Sequence, residues 1–328
     1  MLLCRHLTYA RAHNGRSAVN YLTDDRLRRI LIDANPALSR FNPLPRILFH
    51  NDFDEGTHGW CELAANHNNN LDNLRPVARD LRPAQLSNCT FFDTGTHGSV
   101  SGSYALKLAT RPVPNHMSFL LKRFTYAGEG LVQFETYFTF KAEVNDETPR
   151  GGRAFDGNYH PSAAQFGEFT ISNDIGEPHQ GKRWQAALRY QNTDPDGNLV
   201  QQWKYKTSLH PTTKMVNSGE APPVIDFHSI HPEDWEDLPG GFQPLCFNEV
   251  PTKINWHYLR WVFDLRTRRN TELQVNTQIM DLRNIDVPVY PESYWGLDNL
   301  LNFCIDVRTF TNVRNFLWLD SVLVSADW

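Results

Sequence analysis

Two glutamates stand at polar positions of segments that otherwise alternate with apolar side chains: Glu135 in LVQFETYFTF and Glu168 in FGEFTI. Two carboxyl groups facing each other across a glycosidic bond can supply acid–base hydrolysis, at ~5.5 Å in a retaining enzyme and up to ~9.5 Å in an inverting one. The sequence leaves that separation open. Nearby segments repeat polar types at matching positions: Gln133 and Tyr137, Thr170, Gln185 and Arg189, Gln202 and Lys204. Planar amides and charged groups satisfy paired hydroxyls, and an aromatic face covers ring C–H groups. Gln133, Gln185, Arg189, Lys204 and Trp235 are therefore candidate sugar-binding residues. Elimination chemistry would instead use Tyr137 or His257 as base, with Arg189 and Gln133 neutralising a uronate carboxylate. Each of these residues alone also reads as the exposed polar side of an antiparallel sheet. The collective reading requires the strand faces to share one groove, with Glu135 and Arg189 on the same surface.

A second cluster lies in VIDFHSIHPEDWEDLPGGF, where His228, His231, Glu233 and Asp234 are ligand types for a transition metal. A three-residue histidine spacing beside Pro232 fixes no geometry, so a surface loop with helix-start chemistry is the plainer reading. No nucleophile-elbow G-x-S-x-G, phosphate-binding glycine loop or dinucleotide fingerprint is present, and no organic cofactor is expected.

The elements that must position these groups are strands. From Arg46 onward the apolar pattern has period two. SYALKLATR sets Tyr104, Leu106 and Leu108 against Ala105, Lys107 and Ala109; LVQFETYFTF sets Val132, Phe134, Thr136, Phe138 and Phe140 against Gln133, Glu135, Tyr137 and Thr139. TDPDG between RWQAALRYQN and NLVQQWKYKT is a hairpin signal. HYLRWVFDL with TELQVNTQIM, and NFCIDVRTF with NFLWLDSVLV, read as two further hairpins. The absence of intervening helices excludes a parallel βαβ sheet. The spans Cys61–Ser87, Glu143–Ser162 and Lys206–Thr252 lack periodicity and are expected to wall a cleft. Only LTDDRLRRILIDANP reads as helix, with Thr23 as cap, Leu27, Ile30 and Leu31 as an apolar stripe, and Pro36 as its end. The expected organisation is an N-terminal helical extension over 1–45 and one β-sandwich domain over 46–328.

Composition narrows the partners. The 328 residues are 40% hydrophobic and 12% aromatic, with a net charge of -5, and the basic runs RLRRI and RTRRN are short and separated. A nucleic-acid partner is not expected, because phosphate neutralisation needs clustered cations. No run approaches the ~18 apolar residues of a membrane span. Five cysteines, Cys4, Cys61, Cys89, Cys246 and Cys304, form no CxxC pair and read as reduced thiols; with no export signal in view, a cytoplasmic location is expected.

NDFDEGTHGW (Asn51–Trp60), GSVSGSYALKLAT (Gly98–Thr110) and NFLWLDSVLVSA (Asn315–Ala326) occur in an order that resembles the jelly-roll sandwiches of the concanavalin A-like lectin/glucanase superfamily. The resemblance implies an all-β, two-sheet antiparallel jelly roll that handles carbohydrate. It also implies that first and last strands lie side by side, bringing Asp52 or Asp54 toward Asp320. A structural Ca2+ held by those carboxylates with Gly56-turn carbonyls is one reading; an ordinary turn is the other. The ExDxxE triplet of laminarinase-like members and the RxEL, QIH and YFKxG strands of alginate-lyase-like members are absent, so the resemblance names no reaction. The functional expectation is a glycoside hydrolase or a lyase, the alternative a non-catalytic lectin-like binder. A third reading is a structural sandwich that forms a homo-oligomer through its N-terminal helix.

Overall fold

The computed structural model describes residues 19–61, 85–87, 99–143, 165–209, 212–214, 224–226, 232–246, 255–291 and 298–328. The chain divides into two compact units, Met1–Asn42 and Pro43–Trp328. The first contains α1 (Val19–Asp33). This helix starts before the expected cap, so Thr23 lies inside it. Arg28 pairs with Asp25 at 2.8 Å and Arg29 with Asp33 at 3.0 Å, one helical turn apart. Leu27, Ile30 and Leu31 form an exposed stripe.

The second unit is an antiparallel two-sheet jelly-roll sandwich. One sheet holds β1 (Arg46–Asn51), β3 (Gln85–Ser87), β4 (Ala105–Ala109), β6 (Leu131–Ala142), β13 (His257–Asp264), β14 (Arg269–Val275), β15 (Gln278–Asp281) and β17 (Asn315–Ala326). Its eight strands run β15-β14-β13-β6-β17-β4-β3, and β1 also pairs with β17. The other sheet holds β2 (Trp60–Cys61), β5 (Met117–Thr125), β7 (Glu168–Gly176), β8 (Arg183–Thr193), β9 (Leu199–Lys206), β12 (Trp235–Phe242) and β16 (Leu300–Arg308). Its order is β12-β9-β8-β7-β16-β5-β2. A small ribbon joins β10 (Thr212–Lys214) to β11 (Val224–Asp226).

Period-two patterning places the core where it was expected. Val132, Phe134, Phe138 and Phe140 of β6 point inward and meet Phe169, Leu188, Trp203 and Phe303 from the other sheet. The Phe134–Phe303 and Phe138–Phe169 ring centroids are 5.1 Å apart across the interface. The β8–β9 hairpin forms at TDPDG, where the Asp194 carboxylate accepts the Asp196 and Asn198 amides at 3.0 and 2.8 Å, and Gly197 takes φ 86°.

Two strand expectations are corrected. TELQVNTQIM is not one strand: Asn276 turns to φ 54° and splits it into β14 and β15. The segments NFCIDVRTF and NFLWLDSVLV are not a paired hairpin either. β16 pairs with β5 and β7, whereas β17 pairs with β1, β4 and β6, so the connection crosses from one sheet to the other.

Candidate functional site

Both sheets turn a polar face away from the core, and the sequence-derived candidates divide between them. On the eight-stranded sheet, Gln133, Glu135 and Tyr137 project outward from β6. Glu135 is fully buried; it accepts from Gln133 Nε2 at 2.8 Å and from the Tyr258 hydroxyl at 2.5 Å. Burial first, and then Glu135, raise the Tyr258 phenol, which stays protonated and donates. The rings of Tyr137 and Tyr258 lie 5.5 Å apart. Arg260 is opposite Glu135 in the ladder but pairs with Glu272.

His257 is on neither outer face. It shares the inward side of β13 with Leu259, Trp261 and Phe263, and its ring lies 5.3 Å from that of Phe138. Its nitrogens meet the Cys246 carbonyl at 2.6 Å and the Asn276 amide at 3.0 Å, and burial lowers its pKa. Glu135 and Arg189 are therefore on opposite surfaces of the sandwich, and the requirement for one shared groove fails. The proposed carboxylate pair Glu135–Glu168 does not meet, and Tyr137, His257, Arg189 and Gln133 form no common set.

The seven-stranded sheet brings the others together. In its ladder Lys204, Arg189, Thr170 and Asp306 occupy one row across β9, β8, β7 and β16; Gln191, Glu168 and Arg308 occupy the next. Glu168 Oε1 lies 3.5 Å from Arg189 and 3.4 Å from Arg308, with its side chain 3% exposed. The Trp235 ring covers the Arg189 guanidinium at 3.8 Å. Burial pushes Arg189 below its ordinary value, opposed by Glu168 and Asp306. Behind Trp235, Asp234 Oδ1 accepts from Ser208 Oγ at 2.5 Å and Oδ2 lies 3.9 Å from Lys206. Lys204 pairs with Asp237 at 2.6 Å.

Asp306 is the group that the sequence reading missed. Its side chain is buried, and desolvation raises its pKa to about 7; Glu168 acts in the same direction, Arg189, Thr170 and Arg308 against. Its Oδ1 has no hydrogen-bond partner. Glu168 and Asp306 sit on neighbouring strands as diagonal cross-strand neighbours, a relation that holds Cβ atoms within about 7 Å. At the other end of the same face, Arg183 Nε donates to Asp174 Oδ1 at 2.6 Å, with the Tyr290 ring 5.1 Å from the guanidinium. Gln185, Asp174 and Asn302 form one row there. Alternation in NFCIDVRTF, with Phe303, Ile305 and Val307 against Asn302, Cys304, Asp306 and Arg308, carries the signal that would have found Asp306 and Arg308.

The aspartates at the first and last strands take backbone amides as partners. β1 does pair with β17. Asp54 Oδ1 accepts the Ser103 and Tyr104 amides at 2.7 and 2.9 Å, and Asp320 Oδ2 accepts those of Val100 and Ser101 at 2.5 and 2.9 Å. Asp52 Oδ1 accepts the Asp54 amide at 3.3 Å. Gly102 allows this grip: its φ is 71°, and a Cβ there would fall 1.6 Å from Asp54 Oδ2. Among the described residues no group of three or more His, Cys, Asp or Glu is placed to hold a metal. Of the second acidic loop, His228 and His231 lie outside the described residues, Glu233 is exposed, and Asp234 is committed to Ser208 and Lys206. The Cys246 and Cys304 thiols are free, the first exposed and the second buried. No helix among the described residues is long and apolar enough to cross a membrane.

No curated protein sequence matches the chain. Among solved structures, the potassium-bound carbohydrate recognition domain of Emp46p matches at 10% identity and TM-score 0.34, over 87% of this chain and 96% of that one. A GH16 protein of the Bacteroides ovatus mixed linkage glucan locus, solved with a product, matches at 8% identity and TM-score 0.37, over 85% and 100%. Peanut lectin matches at 10% identity and TM-score 0.33, over 74% and 90%. The family model described as domain of unknown function DUF6772 matches residues 28–328, and the chain is a member of that family.

Proposed function

We propose that the protein binds carbohydrate on the outer face of its seven-stranded sheet and cleaves it as a glycoside hydrolase, with Asp306 as general acid and Glu168 as the partner carboxylate. The observation that carries this reading is the unequal environment of two neighbouring carboxyl groups. Asp306 is desolvated and raised to about 7, so it holds a proton near neutral pH. Glu168 faces two guanidiniums at 3.4–3.5 Å. Two carboxyl groups in such different surroundings can supply a proton to the glycosidic oxygen and an oxygen nucleophile, or a water that it activates, to the anomeric carbon.

The surroundings suit a sugar. Trp235 presents an aromatic ring beside the pair, and Thr170, Gln185 and Asn302 supply neutral polar groups on the same face. Glu135 and Tyr137, on the other sheet, have no part in this reading.

Reducing-sugar release from a panel of polysaccharides and oligosaccharides tests it. Wild-type protein releases sugar from at least one member; Asp306→Asn and Glu168→Gln bind that member without cleaving it. Binding without release by the wild type would make the protein a non-catalytic binder, and binding of no glycan would remove the carbohydrate reading.

A further inference from the structure

Resting on the carbohydrate reading, we infer that the seven-stranded face is shaped for a neutral oligosaccharide that bridges two separate polar patches, rather than for a uronate chain or a single sugar unit. The first patch surrounds Asp306, where Asp306 Oδ1, Arg308 Nε and Trp235 Nε1 are buried and lack hydrogen-bond partners. The second is the row of Gln185 and Asn302, where Gln185 Oε1 and Asn302 Oδ1 are buried and equally without donors. Asp306, Asn302 and Gln185 are 4, 5 and 8% exposed. Five unsatisfied polar atoms on one face are costly unless something else meets them, because each buried group forfeits its hydration.

Their placement sets the length of what meets them. Asp306 and Asn302 are four residues apart on β16, about 13 Å at the rise of an extended strand. That span exceeds one pyranose ring. Between the patches the face carries Ala187, Ser172 and Cys304 in a single row. Burial raises the Cys304 thiol, so it stays neutral and offers a small uncharged surface. A chain of sugar rings can cross this row with its hydroxyls reaching the unsatisfied atoms at either end.

Charge sets the class. Among the described residues, the cations on the face have carboxylate partners: Arg183 has Asp174, Lys206 has Asp234, and the buried Arg189 and half-buried Arg308 share Glu168. Arg123, at the end of the Gln185–Asn302 row, is exposed to solvent. The unmet Gln185 and Asn302 oxygens ask for donors and the unmet Arg308 and Trp235 N–H groups for acceptors; a hydroxyl supplies both, a carboxylate only the second. An anionic ring would also sit beside the Glu168 and Asp174 carboxylates.

Isothermal titration calorimetry on the full chain tests the inference. The probes are gluco-, xylo- and manno-oligosaccharides of one to five units, against oligogalacturonides and mannuronate oligomers of equal length. For one neutral series the trisaccharide binds more tightly than the monosaccharide, and the uronates bind more weakly at every length. Asn302→Ala and Gln185→Ala each lower the ratio of trisaccharide to monosaccharide affinity by about 3- to 10-fold, one hydrogen bond's worth, with melting curves showing that the variants fold. Affinity that is flat with length, uronates binding as well as neutral chains, or an unchanged ratio in the folded variants would overturn the inference while leaving the carbohydrate reading in place. Failure of every probe to bind wild-type protein would overturn both.

Discussion

Removing the Asp320 carboxylate should loosen the segment Val100–Tyr104 without disturbing the core. The Asp320 side chain is fully buried and accepts two backbone amides, at 2.5 and 2.9 Å. Hydrogen bonds to a charged acceptor contribute about 1.5–3 kcal/mol each, so the pair is worth about 3–6 kcal/mol. Val100 and Ser101 are only half-buried, so water can reach their amides once the carboxylate is gone. That places Asp320→Ala near the lower end, at about 3 kcal/mol. Asp320→Asn keeps one neutral acceptor and should cost about 1–2 kcal/mol. Because Asp54 grips the same segment through Ser103 and Tyr104, the double variant with Asp54→Ala should lose less than the sum of the two. Urea unfolding measures the four variants, Asp54→Ala alone included, with wild type run in excess EDTA and in excess Ca2+ alongside. A loss below about 1 kcal/mol for Asp320→Ala, or a wild-type midpoint that rises with Ca2+ and falls with EDTA, would refute the amide-grip reasoning.

Other consequences follow from the same contacts. Glu135→Gln removes a charged acceptor from a buried pair of donors and should lower stability by about 1–3 kcal/mol in urea unfolding while leaving turnover intact. The Asp306 carboxyl binds its proton up to about 7 when folded but only to about 3.8 when unfolded, so the folded state holds more protons in between. Its contribution to stability therefore declines as pH rises from about 4 to about 7, and Asp306→Asn should flatten that part of the stability–pH curve. Trp235→Ala uncovers the Arg189 guanidinium and should weaken sugar affinity several-fold in calorimetry.

How far the sequence carries depends on what alternation encodes. It separates the inward Phe134, Phe138, Leu188 and Trp203 from outward polar neighbours, because a core position must exclude water whichever sheet it belongs to. It does not say to which sheet a strand belongs. Both sheets have an outward polar face, so Glu135 and Glu168 carry the same local pattern and end on opposite surfaces. The crossing of β16 and β17 between sheets is hidden for the same reason: a short polar connection suits a hairpin and a sheet-to-sheet crossover equally. His257 could have been placed, since Leu259, Trp261 and Phe263 share its parity. The adjacency of first and last strands was legible through the resemblance, but what the aspartates hold was not. Their partners are backbone amides of a segment more than 200 residues before Asp320, and amides leave no mark on residue type.

The central claim is that the reactive pair lies on the seven-stranded sheet. Turnover by Asp306→Asn and Glu135→Gln, measured side by side on one cleaved oligosaccharide, tests it most directly. The account predicts that Asp306→Asn binds the substrate with kcat reduced at least about 100-fold, the usual contribution of a general acid, while Glu135→Gln keeps the wild-type kcat. A fully active Asp306→Asn, or an inactive but folded Glu135→Gln, would contradict it.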